Sequence, residues 1–215
     1  MSFASFGLHP SVLQAVEEKG YSQPTAVQRE AIPAILARRD VMAGAQTGTG
    51  KTAAFALPIL HLLTDLTAPA PPINKTMVRA LVLTPTRELA QQVGGSFKEY
   101  GSHSAHRTVV AYGGVSINNQ LTEIDKGVDI LVATPGRLID ILTRGAIDLS
   151  QLAFFVLDEA DRMLDMGFVD DIRRILRSVP DTRQTLLFSA TFDDAVFKLR
   201  IGRGSCRGSV WGAGG

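Results

Sequence analysis

The chain has few of the features that stabilise secreted or membrane-embedded proteins. Cys206 is the single cysteine among 215 residues, so no intramolecular disulfide framework can form. No apolar run approaches the length of a membrane-spanning helix, and the N-terminus lacks the basic and then apolar pattern of a secretory signal. These absences exclude disulfide-rich and membrane-spanning classes. We therefore expect a cytoplasmic protein with no membrane partner.

A strong excess of charge of either sign is also missing. The formal net charge is +1 at pH 7, which excludes nucleic-acid binding through a uniformly basic surface. Any such binding must focus basic groups at a few loops. The 45% hydrophobic content is sufficient for a sizeable core, and we expect one domain over residues 1–199.

One glycine-rich segment has the spacing of a phosphate-binding loop. Gly48 and Gly50 let the backbone approach phosphates, Lys51 can reach the β- and γ-phosphates, and the Thr52 hydroxyl can ligate Mg²⁺. The loop opens with alanine where the general pattern has glycine, so a glycine-rich turn without nucleotide remains an alternative. The predicted nucleotide-binding residues of this loop are Ala45, Gln46, Thr47, Gly48, Thr49, Gly50, Lys51 and Thr52.

A second signature follows an apolar run over residues 154–157, which is typical of a strand buried on both faces of a parallel sheet. Asp158 then lies at the carboxyl end of that strand, where ligands collect in α/β sheets. We predict that Asp158 holds Mg²⁺ through water and that Glu159 orients or deprotonates the attacking water. The alternative is an acidic start of a helix, in which both carboxylates only complement the helix dipole.

The pattern along the chain is that of an α/β protein with a mostly parallel, doubly wound sheet and helices on both faces. Strand-like and helix-like stretches alternate, and no internal repeat is present. The predicted strands cover residues 40–43, 80–83, 108–111, 130–133, 154–157 and 184–188. The predicted helices cover 10–19, 25–38, a stretch starting at residue 52, 87–100 and 170–178.

These motifs, together with residues 20–28, resemble those of the DEAD-box ATP-dependent RNA helicases. The residues of the motifs are most similar to those of the bacterial RhlE-type subgroup. The resemblance covers roughly residues 3–198 and implies the first RecA-like domain of that family. It implies ATP and Mg²⁺ as cofactors, with Gln28 recognising the adenine edge and Tyr21 as a stacking surface, since an amide can pair with adenine through both donor and acceptor. The alternative makes Gln28 an exposed helical residue.

The resemblance also assigns three loops to RNA. Because these loops follow the strand-like runs at 80–83, 108–111 and 130–133, they should meet at one edge of the sheet and contact phosphate and sugar without reading bases. Taken alone, Arg87 would suggest an ion pair with Glu88 or Glu123. Taken alone, Gly113 and Gly114 would suggest a turn. The predicted RNA-binding residues are Pro85, Thr86, Arg87, Gly113, Gly114, Thr134, Pro135, Gly136 and Arg137.

A further segment resembles the family element that couples the nucleotide state to unwinding. Ser189 and Thr191 end the last strand-like run, and their hydroxyls can hydrogen-bond Asp161. In isolation, the same residues would be an ordinary hydroxyl cluster at the end of a strand.

Residues 200–215 match nothing expected of the family, and the motifs of a second RecA-like domain with its arginine fingers do not occur. We interpret this tail as a premature or out-of-frame end, or as a basic arm in which Arg200, Arg203, Arg207 and Trp211 contact RNA. The chain alone should then bind ATP weakly, hydrolyse it slowly and unwind nothing, since an arginine finger contributes roughly 10³ to 10⁵ in rate.

Two other functions remain open at this point. A lone domain could occupy RNA or a partner protein without turnover, and a different P-loop enzyme, such as a DNA translocase or a kinase, would share Lys51 and Asp158. Gln28 and residues 134–137 count against the second. We expect a monomer that binds RNA without sequence preference.

Overall fold

The sheet at the centre of the protein is entirely parallel. The computed structural model describes residues 2–44, 46, 48–65 and 76–199. Within those residues the strands are β1 Val41–Gly44, β2 Ala80–Leu83, β3 Thr108–Ala111, β4 Ile130–Ala133, β5 Phe154–Asp158 and β6 Gln184–Ser189. They are arranged in the order β1-β6-β5-β2-β4-β3, and every neighbouring pair is parallel. All six carboxyl ends therefore meet at one edge.

The strands are apolar because both faces of the sheet are covered. Val82 and Val156 are buried in one hydrophobic core, whereas Leu83 and Leu157, one residue further along, are buried in a second core on the opposite face. Successive side chains of a strand point to opposite faces, so a strand between two helical layers needs apolar residues throughout. This arrangement explains the uninterrupted apolar runs.

Helices form a layer on each face, as the sequence predicts. Helices α1 to α4 pack on the core that contains Val82, and α5 to α9 on the core that contains Leu83. A 3₁₀ helix at Phe3–Phe6 precedes them. The helices are α1 Pro10–Glu18, α2 Ala26–Leu36, α3 Lys51–Asp65, α4 Arg87–Tyr100, α5 Ile117–Asp125, α6 Pro135–Thr143, α7 Ala160–Asp165, α8 Val169–Leu176 and α9 Asp194–Lys198.

Helix α4 lies directly on strand β3 because Gly94 has no side chain. A Cβ at this position would be 2.2 Å from Cγ2 of Val110, far closer than atoms can approach. Thr86 caps the start of the helix, its hydroxyl accepting a hydrogen bond from the Leu89 N–H at 3.3 Å. The first turn of α4, which carries Arg87, is thus fixed beside β3.

Where the predicted element boundaries differ from the observed ones, the difference is one or two residues. Strand β1 begins at residue 41, because the side chain of Asp40 accepts a hydrogen bond from the Thr185 N–H at 2.7 Å instead of continuing the strand. Helix α2 ends before Arg38, whose φ of 59° is left-handed. Helix α3 starts at Lys51, one residue earlier than predicted.

No helix in the described part of the chain is long and apolar enough to cross a membrane. The predictions for Ala45, Thr47 and the segment 200–215 lie outside the described residues.

Candidate active site and nucleic-acid interface

The glycine-rich loop connects the carboxyl end of β1 with the first turn of α3. Gly48 and Gly50 have φ values of 85° and 79°, a region that side chains disfavour. A Cβ on Gly50 would also lie 2.5 Å from Nε2 of Gln28. The Thr49 hydroxyl donates to the carbonyl of Gln46 at 2.8 Å and closes the turn. Backbone shape favours both glycines, and close packing against Gln28 also excludes a side chain at Gly50, as in a loop that wraps a ligand.

Lys51 joins this loop to the end of β5. Its Nζ lies 3.1 Å from Oδ1 of Asp158 and 3.3 Å from Oε1 of Glu159. The side chains of Lys51 and Asp158 are 7% and 0% exposed. Burial raises the pKa of Asp158, and the ammonium of Lys51 opposes that rise. One cation and two carboxylates therefore meet where the sequence predicts a catalytic centre.

The carboxylate of Asp158 has unused acceptor capacity. Neither oxygen makes a directed hydrogen bond with any described residue, although Oδ1 lies within ion-pair distance of Lys51. Buried acceptors without donors are costly unless a cation or water satisfies them. Hard carboxylate and hydroxyl oxygens suit Mg²⁺, and Thr52 lies half-buried in the first turn of α3. The residues present fit a magnesium ion held between the loop and β5.

Glu159 adopts a left-handed conformation, with φ of 54° and ψ of 53°. It precedes α7, but its side chain makes no capping hydrogen bond. The carboxylate instead bridges Lys51 and Arg162, whose Nη1 lies 3.3 Å from Oε2. A glutamate with a left-handed backbone conformation is strained, and such strain occurs preferentially at functional sites. This geometry argues against the alternative in which Glu159 is only an acidic helix cap.

Gln28 is buried, in contrast to its interpretation as an exposed helical residue. Its Oε1 accepts from the Thr25 N–H and its Nε2 donates to the Gly50 carbonyl, each at 2.9 Å. The amide therefore ties the start of α2 to the glycine-rich loop. Tyr21 is 42% exposed, and its hydroxyl lies 3.4 Å from that of Tyr100. Its ring is accessible for stacking.

Asp161 connects the acidic segment with the end of β6. Its Oδ2 accepts from both the N–H and the hydroxyl of Thr191, each at 3.1 Å. Its own N–H donates to the Ser189 hydroxyl at 3.2 Å. The carboxyl ends of β5 and β6 are thereby joined by three hydrogen bonds.

The loops assigned to RNA follow β2, β3 and β4 and lie at the same carboxyl edge. Pro85 and Pro135 are buried and shape their loops, whereas Gly113, Gly114 and Gly136 are exposed. Thr86 and Thr134 are half-buried and precede α4 and α6.

Arg87 is exposed, and its guanidinium carbon lies 5.0 Å from the ring centroid of Tyr112. Nε2 of Gln91 donates to the Tyr112 hydroxyl at 2.9 Å. Glu123, an alternative partner for Arg87, pairs with Arg107 instead. An arginine over an aromatic ring keeps its donors at the guanidinium edge, so Arg87 can contact an anion.

Arg137 differs from Arg87 because it points into the protein. Its side chain is 9% exposed, Nη1 donates to Oε1 of Gln120 at 2.9 Å and Nη2 donates to the Val115 carbonyl at 2.8 Å. Gln120 is not among the residues predicted from the sequence. The available signal was a polar residue on the apolar face of α5, between Ile117 and Ile124.

Comparisons with known proteins agree with this arrangement. The sequence pattern of the family described as DEAD/DEAH box helicase matches residues 25–199. The ATP-dependent RNA helicase DeaD of Mycobacterium tuberculosis is 49% identical over 199 residues, which are 92% of this chain and 34% of that protein. The DEAD-box ATP-dependent RNA helicase RhpA of Helicobacter pylori is 47% identical over 198 residues, covering 92% of this chain and 38% of that protein.

A similar fold is present in the crystal structure of a DEAD box protein from the hyperthermophile Methanococcus jannaschii. The TM-score is 0.86 at 34% identity, over 99% of this chain and 56% of that chain. The chain spans about a third of the length of the curated relatives described above. The matched segment contains the glycine-rich loop, the carboxylates at the carboxyl end of β5 and the loops after β2, β3 and β4. The chain belongs to the DEAD/DEAH box helicase family.

Proposed function

We propose that this chain is the ATP-binding half of an ATP-dependent RNA helicase. The observation that carries the proposal is the meeting of Lys51 with Asp158 and Glu159, at 3.1 and 3.3 Å, beside the glycine-rich loop. A polyphosphate needs a cation, backbone N–H donors and a metal ion near its terminal phosphates. Two relatives, DeaD and RhpA, are named ATP-dependent RNA helicases, which supports the same activity.

In this proposal the loop residues 45–52 hold the phosphates, and Lys51 neutralises charge on the β- and γ-phosphates. Thr52 and Asp158 would hold Mg²⁺, partly through water, and a bound ion would supply positive charge against the transferred phosphoryl group. Glu159, already within reach of Lys51, orients or deprotonates the attacking water. Tyr21 stacks on the adenine, and the Gln28 amide exchanges its contacts with Thr25 and Gly50 for the adenine edge.

RNA would bind along the loops after β2, β3 and β4. The exposed Arg87 and the exposed glycines offer a guanidinium and backbone N–H groups, which suit phosphate and sugar rather than base edges. Binding should therefore be independent of sequence and weaken with salt. The hydrogen bonds of Asp161 with Ser189 and Thr191 provide a connection between the nucleotide end and the rest of the sheet edge.

The complete cycle requires more than the residues described here. We propose that ATP and RNA close this domain against a second RecA-like domain, that a short duplex is disrupted, and that hydrolysis separates the domains again. The residues of the motifs favour the RhlE-type subgroup, although the two relatives described above have other names. A monomer in a reducing cytoplasm, consistent with a single cysteine, completes the proposal.

The test is ATP hydrolysis and ATP binding by the purified chain, with and without single-stranded RNA. Lys51→Ala should lose both binding and turnover, whereas Glu159→Gln should lose turnover and keep binding. Lys19→Ala and Glu17→Gln make the same chemical changes at exposed positions away from the loop and should match the parent chain.

If Lys51→Ala and Glu159→Gln hydrolyse ATP as fast as the parent chain, the assignment of the catalytic residues is overturned. Binding of ATP without measurable turnover, even with RNA, fits both an isolated helicase half and a lone binding domain, and turnover restored by adding a second RecA-like domain would favour the helicase. Stimulation by DNA but not by RNA would favour a different P-loop translocase.

A further inference from the structure

The three loops assigned to RNA are connected to one another through Tyr112 and Gln120. Tyr112 is the last residue before Gly113, and Gln120 lies in α5, four residues after its capping residue Ser116. Tyr112 contacts Arg87 through its ring, and Gln120 contacts Arg137 through its amide. One continuous set of contacts therefore includes the loops after β2, β3 and β4.

Both ends of the Gln120 amide are used, and the side chain is buried, with a relative exposure of 7%. Nε2 donates to the Tyr112 carbonyl at 3.0 Å, and Oε1 accepts from Nη1 of Arg137 at 2.9 Å. An amide is the side chain that can donate to a carbonyl and accept from a guanidinium at once. Replacing it with an apolar residue would leave a carbonyl and a buried guanidinium without these partners.

Arg137 holds the same loop from its other end. Its Nη2 donates to the Val115 carbonyl at 2.8 Å, so the backbone is fixed at Tyr112 by Gln120 and at Val115 by Arg137. Gly114 lies between these two points with a left-handed φ of 81°. The shape of the 112–115 loop thus depends on two buried side chains that lie outside it.

We infer that Gln120 and Arg137 are positioning residues, which hold the 112–115 loop in the form that binds RNA, and that Arg137 does not itself contact phosphate. This inference rests on the proposed RNA-binding function. Direct contacts then fall to exposed groups, namely the guanidinium of Arg87 and the backbone N–H groups of Gly113 and Gly114. A guanidinium with two donors bound inside the protein has less to offer to a ligand.

The salt dependence of RNA binding separates the two roles of arginine. Each phosphate contact with a single strand contributes about 0.7 to the slope of log K against log salt. Anisotropy titrations of labelled single-stranded RNA at several salt concentrations should show this slope falling by about 0.7 in Arg87→Ala. Arg137→Ala and Gln120→Ala should each bind about tenfold more weakly with the slope unchanged.

The substitution Arg137→Lys sharpens the distinction because it keeps the charge but loses the two-point guanidinium contact. If Arg137 positions the loop, Arg137→Lys should bind RNA as weakly as Arg137→Ala. The double variant Gln120→Ala/Arg137→Ala should lose less affinity than the sum of the two single losses, since both single variants remove the contact between Gln120 and Arg137. Gln92→Ala, an exposed glutamine of α4, is the matched control.

Binding of a fluorescent ATP analogue and the melting temperature show whether each variant is folded. Faster amide exchange at residues 112–115 in Gln120→Ala, with ATP binding unchanged, is the expected structural signature. A slope reduced by about 0.7 in Arg137→Ala, or parent-like RNA affinity in Arg137→Lys or Gln120→Ala, would overturn the inference. Failure of the parent chain to bind RNA would overturn the proposed RNA-binding function and this inference with it.

Discussion

The two halves of the sheet edge use polar residues in different ways. At the end of β1 and β5, Lys51, Asp158 and Glu159 are charged groups packed together, and the Asp158 oxygens lack directed hydrogen bonds with described residues. At the end of β3 and β4, Arg137 donates to the neutral acceptors Gln120 and the Val115 carbonyl, and its Nε lies 3.9 Å from Oδ2 of the exposed Asp140. Within the part of the chain that the structure describes, both oxygens of Asp158 therefore lack hydrogen-bond donors in the first region, whereas in the second the two terminal nitrogens of Arg137 are paired and its Nε lacks a hydrogen bond.

This difference indicates how each region would respond to a ligand. A site with buried charges whose hydrogen bonds are incomplete is stabilised most by binding a cation and a polyphosphate. The stability of the folded protein should therefore depend strongly on pH and on Mg²⁺ with nucleotide. A loop held at both ends, at the Tyr112 and Val115 carbonyls, should keep its shape without a ligand. Substitutions that remove one charge from the first region should therefore have larger effects than those that remove one contact from the second.

The largest expected effect is that of Lys51→Ala on stability. Burial raises the pKa of Asp158, which means that its contribution favours folding below its unfolded pKa of about 3.9 and is lost as the pH rises through the folded value. Without Lys51 the folded pKa rises further, so the loss extends to higher pH. We expect Lys51→Ala to be about 3 kcal/mol less stable than the parent at pH 8, with a smaller difference at pH 5.

Urea unfolding across that pH range measures the difference. The double variant Lys51→Ala/Asp158→Asn removes the ionisable carboxyl, and its stability should depend on pH no more than that of Asp158→Asn alone. If the difference in the free energy of unfolding between Lys51→Ala and the parent stays constant with pH, the ionisation of Asp158 is not the source of the destabilisation.

Replacing glycines of the two regions with alanine should destabilise the protein to three different extents. Gly50→Ala combines a left-handed φ with a Cβ placed 2.5 Å from Gln28, and we expect a cost of about 2 kcal/mol and weaker ATP binding. Gly114→Ala has the left-handed φ but open space, so about 1 kcal/mol is expected. Gly113→Ala has neither and should be nearly neutral.

Urea unfolding of the three variants and titration with an ATP analogue check this order. Gly114→Ala should leave ATP binding unchanged. An equal cost at Gly50 and Gly114 would mean that Gln28 moves aside, and that the loop is less tightly held than the contacts indicate.

Much of the fold was predictable because its signals are local. Strands buried on both faces read as apolar runs, and β2, β3 and β4 have the bounds predicted from the sequence. Lys51 and Asp158 could be placed together because both follow strands of one parallel sheet. Element ends were less predictable, since the end of α2 depends on a left-handed Arg38 that no propensity requires.

The orientation of individual polar side chains could not be predicted. Arg87 and Arg137 have similar sequence contexts, each within a loop that follows a strand and opens a helix. One is exposed over Tyr112 and the other is buried against Gln120, because α5 happens to place an amide within reach of the second. Such pairings depend on how helices pack, which is information from residues far apart in the sequence.

At the end of β6 a smaller effect is expected. Ser189→Ala removes the buried acceptor of the Asp161 N–H, and we expect a loss of about 1 kcal/mol. Thr191→Val should cost less, because Oδ2 of Asp161 keeps its hydrogen bond from the Thr191 N–H. Thermal unfolding of both variants provides the comparison, and the reverse order would place the important contact at the Thr191 hydroxyl.

The smallest effect should come from the hydroxyl of Tyr112. Tyr112→Phe keeps the ring beneath Arg87 and loses only the exposed hydrogen bond from Gln91, so the stability should change by less than about 0.5 kcal/mol. Tyr112→Leu removes the ring, and the lost cation–π contact should cost about 0.5 to 1 kcal/mol. RNA affinity should follow the ring, staying at the parent value in Tyr112→Phe and falling in Tyr112→Leu. If Tyr112→Phe is as damaging as Tyr112→Leu, the Gln91 hydrogen bond, rather than the aromatic surface, holds Arg87 and the loop together.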